Sequence, residues 1–153
     1  MGKLGGAELN VSSDVDLIFV YPEEGATGGP RIISTHEFFA HLGRKLIACL
    51  DDFTEHGYVF RVDMRLRPHG ESGPLAVSFP MLEEYLLSQG REWERYAWIK
   101  ARAVCGSRSQ ELIELVRPFV FRKYFDFGAY AILRKLHGQI RQEVRRREMG
   151  DNI

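Results

Sequence analysis

At Pro80 the hydrophobic rhythm of this 153-residue chain changes. Upstream of it, three runs carry the strand character of the chain, the clearest alternating apolar and polar side chains at a period of two, with one helical stretch between them. Downstream, apolar positions recur every three to four residues, the spacing of helices. Strands first and helices afterwards restrict the chain to an α/β or α+β arrangement. A small sheet-bearing half over residues 1–79 is expected, with a helical half over 80–153 packed on it.

Within the first half, residues 14–21 (DVDLIFVY) read as a strand entered through the polar turn Asn10-Val11-Ser12-Ser13. Pro22 to Arg31 is a Gly/Pro loop. Ser34 or Thr35 can cap a helix running to about Leu50, with Phe38, Phe39, Leu42, Leu46 and Leu50 on its buried side. Gly57 precedes the clearest strand, Tyr58 to Leu66. Here Tyr58, Phe60, Val62, Met64 and Leu66 face one way, and Val59, Arg61, Asp63 and Arg65 the other. A tight loop over 68–74 leads to a short strand, Leu75 to Phe79.

In the second half, residues 80–89, 91–104, 109–124 and 129–148 read as helices, separated by Gly90, Gly106 and Asp126–Gly128. On the helix over 91–104, Trp93, Ala97, Lys100 and Val104 share a face, and Arg91, Arg95 and Arg102 form a basic stripe beside it. Trp93, Tyr96 and Trp98 are expected in the core, and Glu92 lies within pairing reach of Arg95. The basic run from Arg134 to Arg147 is a solvated face or a docking surface for further sequence.

Charge excludes some partners. Lys+Arg and Asp+Glu both number 21, so no net field points to nucleic acid or to a membrane surface. No apolar run approaches the ~20 residues of a membrane span, and Met1 opens no signal sequence, so a soluble cytoplasmic protein is expected. Cys49 and Cys105 lie in apolar surroundings without ligand spacing and read as reduced thiols in or near the core.

The chemistry concentrates around three acids. Alternation puts Asp14 and Asp16 on one face at the mouth of the first strand, with Val15 and Leu17 turned to the core. Two carboxylates so close raise each other's pKa unless a cation lies between them, and hard oxygen donors suit Mg²⁺ or Mn²⁺. Asp63 offers a third acid on the polar face of another strand. Three carboxylates from two neighbouring strands can hold metal ions for in-line attack at phosphorus. Gly5 and Gly6 admit close approach of a phosphate, as do the amides and hydroxyls of Ser12 and Ser13. Arg61, Arg65 and Arg67 flank the third acid and can neutralise phosphate charge. Lys100 and Arg102, set among small alanines, can reach into a cleft as phosphate or nucleotide contacts. His69, in the loop after RLRP, is the only histidine near this site. Each part has a plainer reading too: D-x-D as a solvated strand entry, the glycine pair as a turn, and the Arg-Asp-Arg alternation as a surface ion-pair ladder.

Three ordered motifs, GKLGGAELNVSSDVDLIFVYPE, FRVDMRLRPHGESGPLAVS and GREWERYAWIKARAV, together resemble the bacterial glutamine synthetase adenylyltransferase/adenylyl-removing enzymes. The resemblance implies an α+β fold, with a polymerase-β-like nucleotidyltransferase palm carrying a short mixed sheet and a helical region after it. It makes Asp14, Asp16 and Asp63 the catalytic metal ligands, for Mg²⁺ or Mn²⁺. Gly5, Gly6 and Ser13 become the phosphate-binding turn, with Arg65, Arg67, Lys100 and Arg102 as nucleotide or phosphate helpers.

SSDVDLIFVYPE, RVDMRLRP, GREWERYA and RPFVFRKYFDFG are closer to the adenylyl-removing half of such enzymes. That half releases AMP from a tyrosine of glutamine synthetase by phosphorolysis, giving ADP. The opposite direction, adenylylation from ATP, uses the same ligands, and a non-catalytic module binding nucleotide or a regulator is a further alternative. Implied partners are glutamine synthetase, ADP or ATP, phosphate, and a PII-type signalling protein acting through the full-length enzyme. A strand is expected before GKLGG and more sequence after DNI, so that the chain is part of a longer enzyme and its palm lacks the first strand.

Overall fold

The computed structural model describes residues 1–121 and 134–143. The run RPFVFRKYFDFG beyond Phe121, the last residues of the expected helix over 109–124, and half of that over 129–148 lie outside the described residues; 134–143 are helical.

The architecture is mixed α+β. A single turn, α1 (Gly2–Gly5), precedes β1 (Val15–Asp16) and β2 (Phe19–Tyr21). Then come α2 (Thr35–Asp51), β3 (Val62–Asp63), a 3₁₀ turn over Gly70–Ser72 and β4 (Ala76–Ser78). Three helices follow: α3 (Phe79–Ser88), α4 (Glu92–Ile99) and α5 (Ser109–Val120). Among the described residues the strands make two separate two-stranded parallel sheets, β1 with β3 and β2 with β4, rather than one mixed sheet. The expected strand over 14–21 is thus split at Leu17–Ile18, and its two parts take different partners.

The alternating run Tyr58–Leu66 yields only the two residues of β3. Its first half is drawn elsewhere: the amides of Val59 and Phe60 both donate to the Leu50 carbonyl at the end of α2. Its second half turns at once, because the Arg65 amide donates to Asp63 Oδ1 and the Arg67 amide to the Met64 carbonyl. Of the five apolar positions Met64 is buried, whereas Tyr58 is exposed. Periodicity set the orientation of side chains here, and local hydrogen bonds set the length.

Helix α2 begins as expected, with the Ser34 hydroxyl accepting from the Glu37 amide at 3.0 Å. Its packed stripe is displaced by about one position from the expected one. Ala40 and Gly43 are buried, and Phe38, Leu42 and Leu46 are exposed. The small residues let the helix approach β2 closely: a Cβ on Gly43 would sit 2.7 Å from the Phe19 ring. Helix α3 is capped by Ser78, whose hydroxyl accepts from the Met81 amide.

The core cluster joins β4 to the three later helices through Val77, Leu82, Leu86, Trp98, Val116, Phe119 and Val120, with Met1 beside them. Helix α4 stops at Ile99, five residues short of expectation, so Lys100 and Val104 leave the helical face. Trp98 is buried as expected, but Trp93 is exposed. Arg95 is no part of a basic stripe. It is 5% exposed, with Nε donating to the Phe119 carbonyl at 2.9 Å and Nη1 paired with Glu92 at 2.7 Å. The guanidinium thereby satisfies a carbonyl in the last turn of α5, where no intrahelical donor remains. Cys49 and Cys105 are both exposed, against the expectation of core thiols. Cys49 sits on the outward side of α2 and Cys105 in the irregular segment after α4.

Candidate active site

The parallel register of β1 and β3 pairs Val15 with Val62 and Asp16 with Asp63. The ladder bonds run from the Val15 amide to the Arg61 carbonyl (2.8 Å) and from the Leu17 amide to the Asp63 carbonyl (3.0 Å). Asp16 and Asp63 therefore stand directly opposite each other on adjacent strands. Val15 between the two N-terminal acids is 3% exposed, which anchors the strand and leaves Asp14 at its rim.

The opposed pair titrates in opposite directions. Asp16 is raised above the ordinary carboxylate range, first by burial, then by the charge of Asp63, with Asp14 adding to the effect. Asp63 is lowered, chiefly because the Arg65 guanidinium hydrogen-bonds its carboxylate. Arg65 grips both oxygens: Nε lies 3.1 and 2.9 Å from Oδ1 and Oδ2, and Nη2 lies 2.5 Å from Oδ2. Asp14 is held similarly by Arg61, whose Nε lies 2.6 Å from Oδ1 while its Nη2 donates to the Ser12 carbonyl.

α1 closes one side. The Met1 amine donates to the Asp16 carbonyl at 2.7 Å. Gly2 has φ of +49°, and a Cβ there would stand 2.2 Å from Asp16 Oδ2. Only glycine leaves that oxygen room. Gly2 is a site-shaping residue that sequence reasoning passed over in favour of the more conspicuous Gly5-Gly6 pair.

The remaining candidates form other groupings. Gly5 and Gly6 face the end of α4: a Cβ on Gly5 would fall 1.8 Å from the Lys100 carbonyl oxygen, and one on Gly6 3.3 Å from the Lys100 side chain. Lys100 Nζ pairs with Glu8 at 2.7 Å, and Arg102 Nη2 donates to the Leu4 carbonyl at 3.2 Å. Ser13 is buried, its hydroxyl donating to Asn10 and accepting from Lys3 Nζ at 3.2 Å. Arg67 spans the loop after β3, donating to the carbonyls of Met64, Glu71 and Gly73.

His69 takes a left-handed backbone (φ +61°) and sets its ring against Tyr85 at 4.7 Å. The Tyr85 hydroxyl in turn donates to Glu94, a buried acid that also accepts from the Arg91 amide. Burial first, then this bond, raises the phenol above its ordinary value. Glu94 was not singled out from the sequence. Its position three residues after Arg91 was the available signal, since an acid there can turn back to cap the helix.

The donor set suits a hard divalent cation: three carboxylates, two of them opposed across adjacent strands, and a glycine cradle at Asp16 Oδ2. As the side chains stand, among the described residues no three His, Cys, Asp or Glu groups converge closely enough to share an ion. Asp14 and Asp63 are occupied by arginines instead.

Comparison with known proteins bears on what such a site belongs to. Residues 1–115 match the family described as glutamate-ammonia ligase adenylyltransferase. The whole chain aligns at 69% identity with a bifunctional glutamine synthetase adenylyltransferase/adenylyl-removing enzyme of Nitrosomonas europaea. Proteins of the same description from Chromobacterium violaceum and Aromatoleum aromaticum are 67% and 66% identical to it. The chain spans 17% of the first of these relatives, 17% of the second and 16% of the third. Among the described residues no helix is long and apolar enough to cross a membrane.

Proposed function

The chain belongs to the glutamate-ammonia ligase adenylyltransferase family, and from that premise we propose that it carries the nucleotidyltransferase palm of an adenylyl-removing centre. In this reading residues 1–79 are the palm, lacking its first strand, and 80–153 the helical region that supports it. The substrate is adenylylated glutamine synthetase. Inorganic phosphate attacks the phosphorus of the tyrosyl-AMP diester, and a new P–O bond forms as the bond to the tyrosine oxygen breaks. The electron pair leaves with that oxygen, which takes up a proton, and ADP is released.

The observation that carries the proposal is the register of Asp16 opposite Asp63, with Asp14 two residues before. These three carboxylates would hold Mg²⁺ or Mn²⁺. When bound there, the cation supplies charge neutralisation at the non-bridging phosphate oxygens. Arg65 contacts the phosphate by its guanidinium fork, and Lys100 and Arg102 add positive charge from the segment after α4. Gly5, Gly6 and Ser13, which here pack against the Lys100 segment and against Asn10 and Lys3, belong to the turn that phosphate approaches in this reading, and Arg67 fixes the loop beyond the third acid. A PII-type signalling protein acts through the full-length enzyme, which works in the cytoplasm.

The second reading is the opposite direction, adenylylation from ATP, favoured by the matching family's being named an adenylyltransferase. The motif wording around SSDVDLIFVYPE and GREWERYA supports removal. Asp16→Asn in the full-length enzyme separates the two. ADP formation from adenylylated glutamine synthetase and phosphate is expected to disappear, while AMP transfer from ATP persists. The reverse pattern assigns the chain to the adding reaction, and wild-type rates in both assays remove Asp16 from the site.

A further inference from the structure

We propose that Arg65 has two stations: it holds Asp63 while no divalent cation is bound, and passes to phosphate oxygens of the substrate when a cation takes Asp63. The inference rests on the metal-site reading above and concerns how that site is kept before loading.

The three arginines around the acids differ in how they are tied. Arg67 has three backbone carbonyls as partners and is built into its loop. Arg61 is held twice, by Asp14 and by the Ser12 carbonyl. The hydrogen bonds of the Arg65 side chain go to Asp63 alone. The Arg65 side chain is 72% exposed, whereas that of Asp63 is only 15% exposed. One partner is thus a largely buried acid, the other a long arm in solvent whose side-chain hydrogen bonds all go to that acid, with the charges of Glu71 and Asp16 acting on it besides.

The arginine end of the pair lies in solvent, where water screens it, so the grip is open to exchange for a stronger one. It competes with a cation while it lasts, since the fork engages Oδ1 and Oδ2 together. Released from Asp63, the same fork matches a phosphate. A cation arriving with its substrate therefore frees the arginine at the moment when phosphate charge appears beside it. In the unloaded site the arginine keeps Asp63 from facing Asp16 as a bare like charge.

Arg65→Ala and Arg65→Lys test this in the 153-residue chain, with folding verified by circular dichroism. Mn²⁺ binding is followed by electron paramagnetic resonance, and inorganic phosphate or ADP binding by calorimetry at saturating Mn²⁺. Both variants are expected to bind Mn²⁺ several-fold more tightly than wild type and to bind phosphate and ADP more weakly. Lysine keeps the charge but lacks the fork, so a gain in that variant assigns the effect to occupancy of the two oxygens. Mn²⁺ affinity that rises for alanine alone reflects charge and overturns the proposal. Changes of the same sign for metal and phosphate overturn it as well, since a supporting residue would weaken both. If wild type binds no Mn²⁺ and Asp16→Asn is indistinguishable from it, the metal site itself falls, which is a different failure.

Discussion

Asp16 and Asp63 are register partners on adjacent parallel strands, yet burial and repulsion push one acid up while an arginine pulls the other down. The two therefore act on stability with opposite signs. Asp63 binds its proton less readily folded than unfolded. Its contribution is present above the ordinary carboxylate range and is lost as pH falls through its lowered value. Asp16 binds its proton more readily when folded, so its ionisation opposes folding as pH rises past the ordinary value of 3.8. Thermal melts are expected to show Asp63→Asn below wild type at about pH 7, with the gap closing only as pH falls through the lowered Asp63 value. Asp16→Asn should melt at or above wild type at about pH 7. An Asp16→Asn chain that melts well below wild type contradicts the assigned environment.

Gly5→Ala addresses the other end of α1. The added Cβ would fall 1.8 Å from the Lys100 carbonyl, a backbone atom that has no rotamer to yield. α1 is expected to lift from the 100–102 segment, at a loss of about 1–3 kcal/mol by the general cost of overpacking. Amide exchange over residues 1–8 should accelerate with or without nucleotide present. Protection unchanged in the variant would show that the contact is not maintained in solution.

Arg95→Met removes a buried cation that joins α4 to the last turn of α5. It leaves the Phe119 carbonyl without its side-chain donor and Glu92 without this ion pair. Removing one partner of a buried pair is typically worth about 3–5 kcal/mol, and the partial exposure of Glu92 lowers the expected loss to about 2–4 kcal/mol. Urea denaturation measures it. A loss below about 1 kcal/mol would mean that methionine packing against Phe119 replaces what the polar contacts supplied.

What was legible in the sequence was local. The Ser34 cap, the span of α2 and the Glu92–Arg95 pair all depend on residues within one or two turns of each other. Alternation likewise put Asp63 on the polar side of its run. The length of that run was not legible, because its first amides bond to Leu50, which belongs to the preceding helix. The register that sets Asp16 against Asp63 is a pairing across 47 residues, and no local pattern encodes it. Nor could the role of Gly5 be read, since the atom that demands a glycine there is a carbonyl at Lys100. The face of α2 was misjudged for a related reason: size of side chain suggested burial, whereas close approach to Phe19 favoured the small residues.

One short turn ties distant parts of the chain together. α1 is wedged between Asp16, which abuts Gly2, and the end of α4, which abuts Gly5 and receives Arg102 against Leu4. Both surfaces meet glycines, so no side chain cushions either side. A side chain at Gly2 would press on the Asp16 carboxylate, and one at Gly5 on the Lys100 carbonyl, so the turn fits only with both positions bare. Four residues thus fill, without a side chain to spare, the space between a carboxylate of the first strand and the backbone that follows α4.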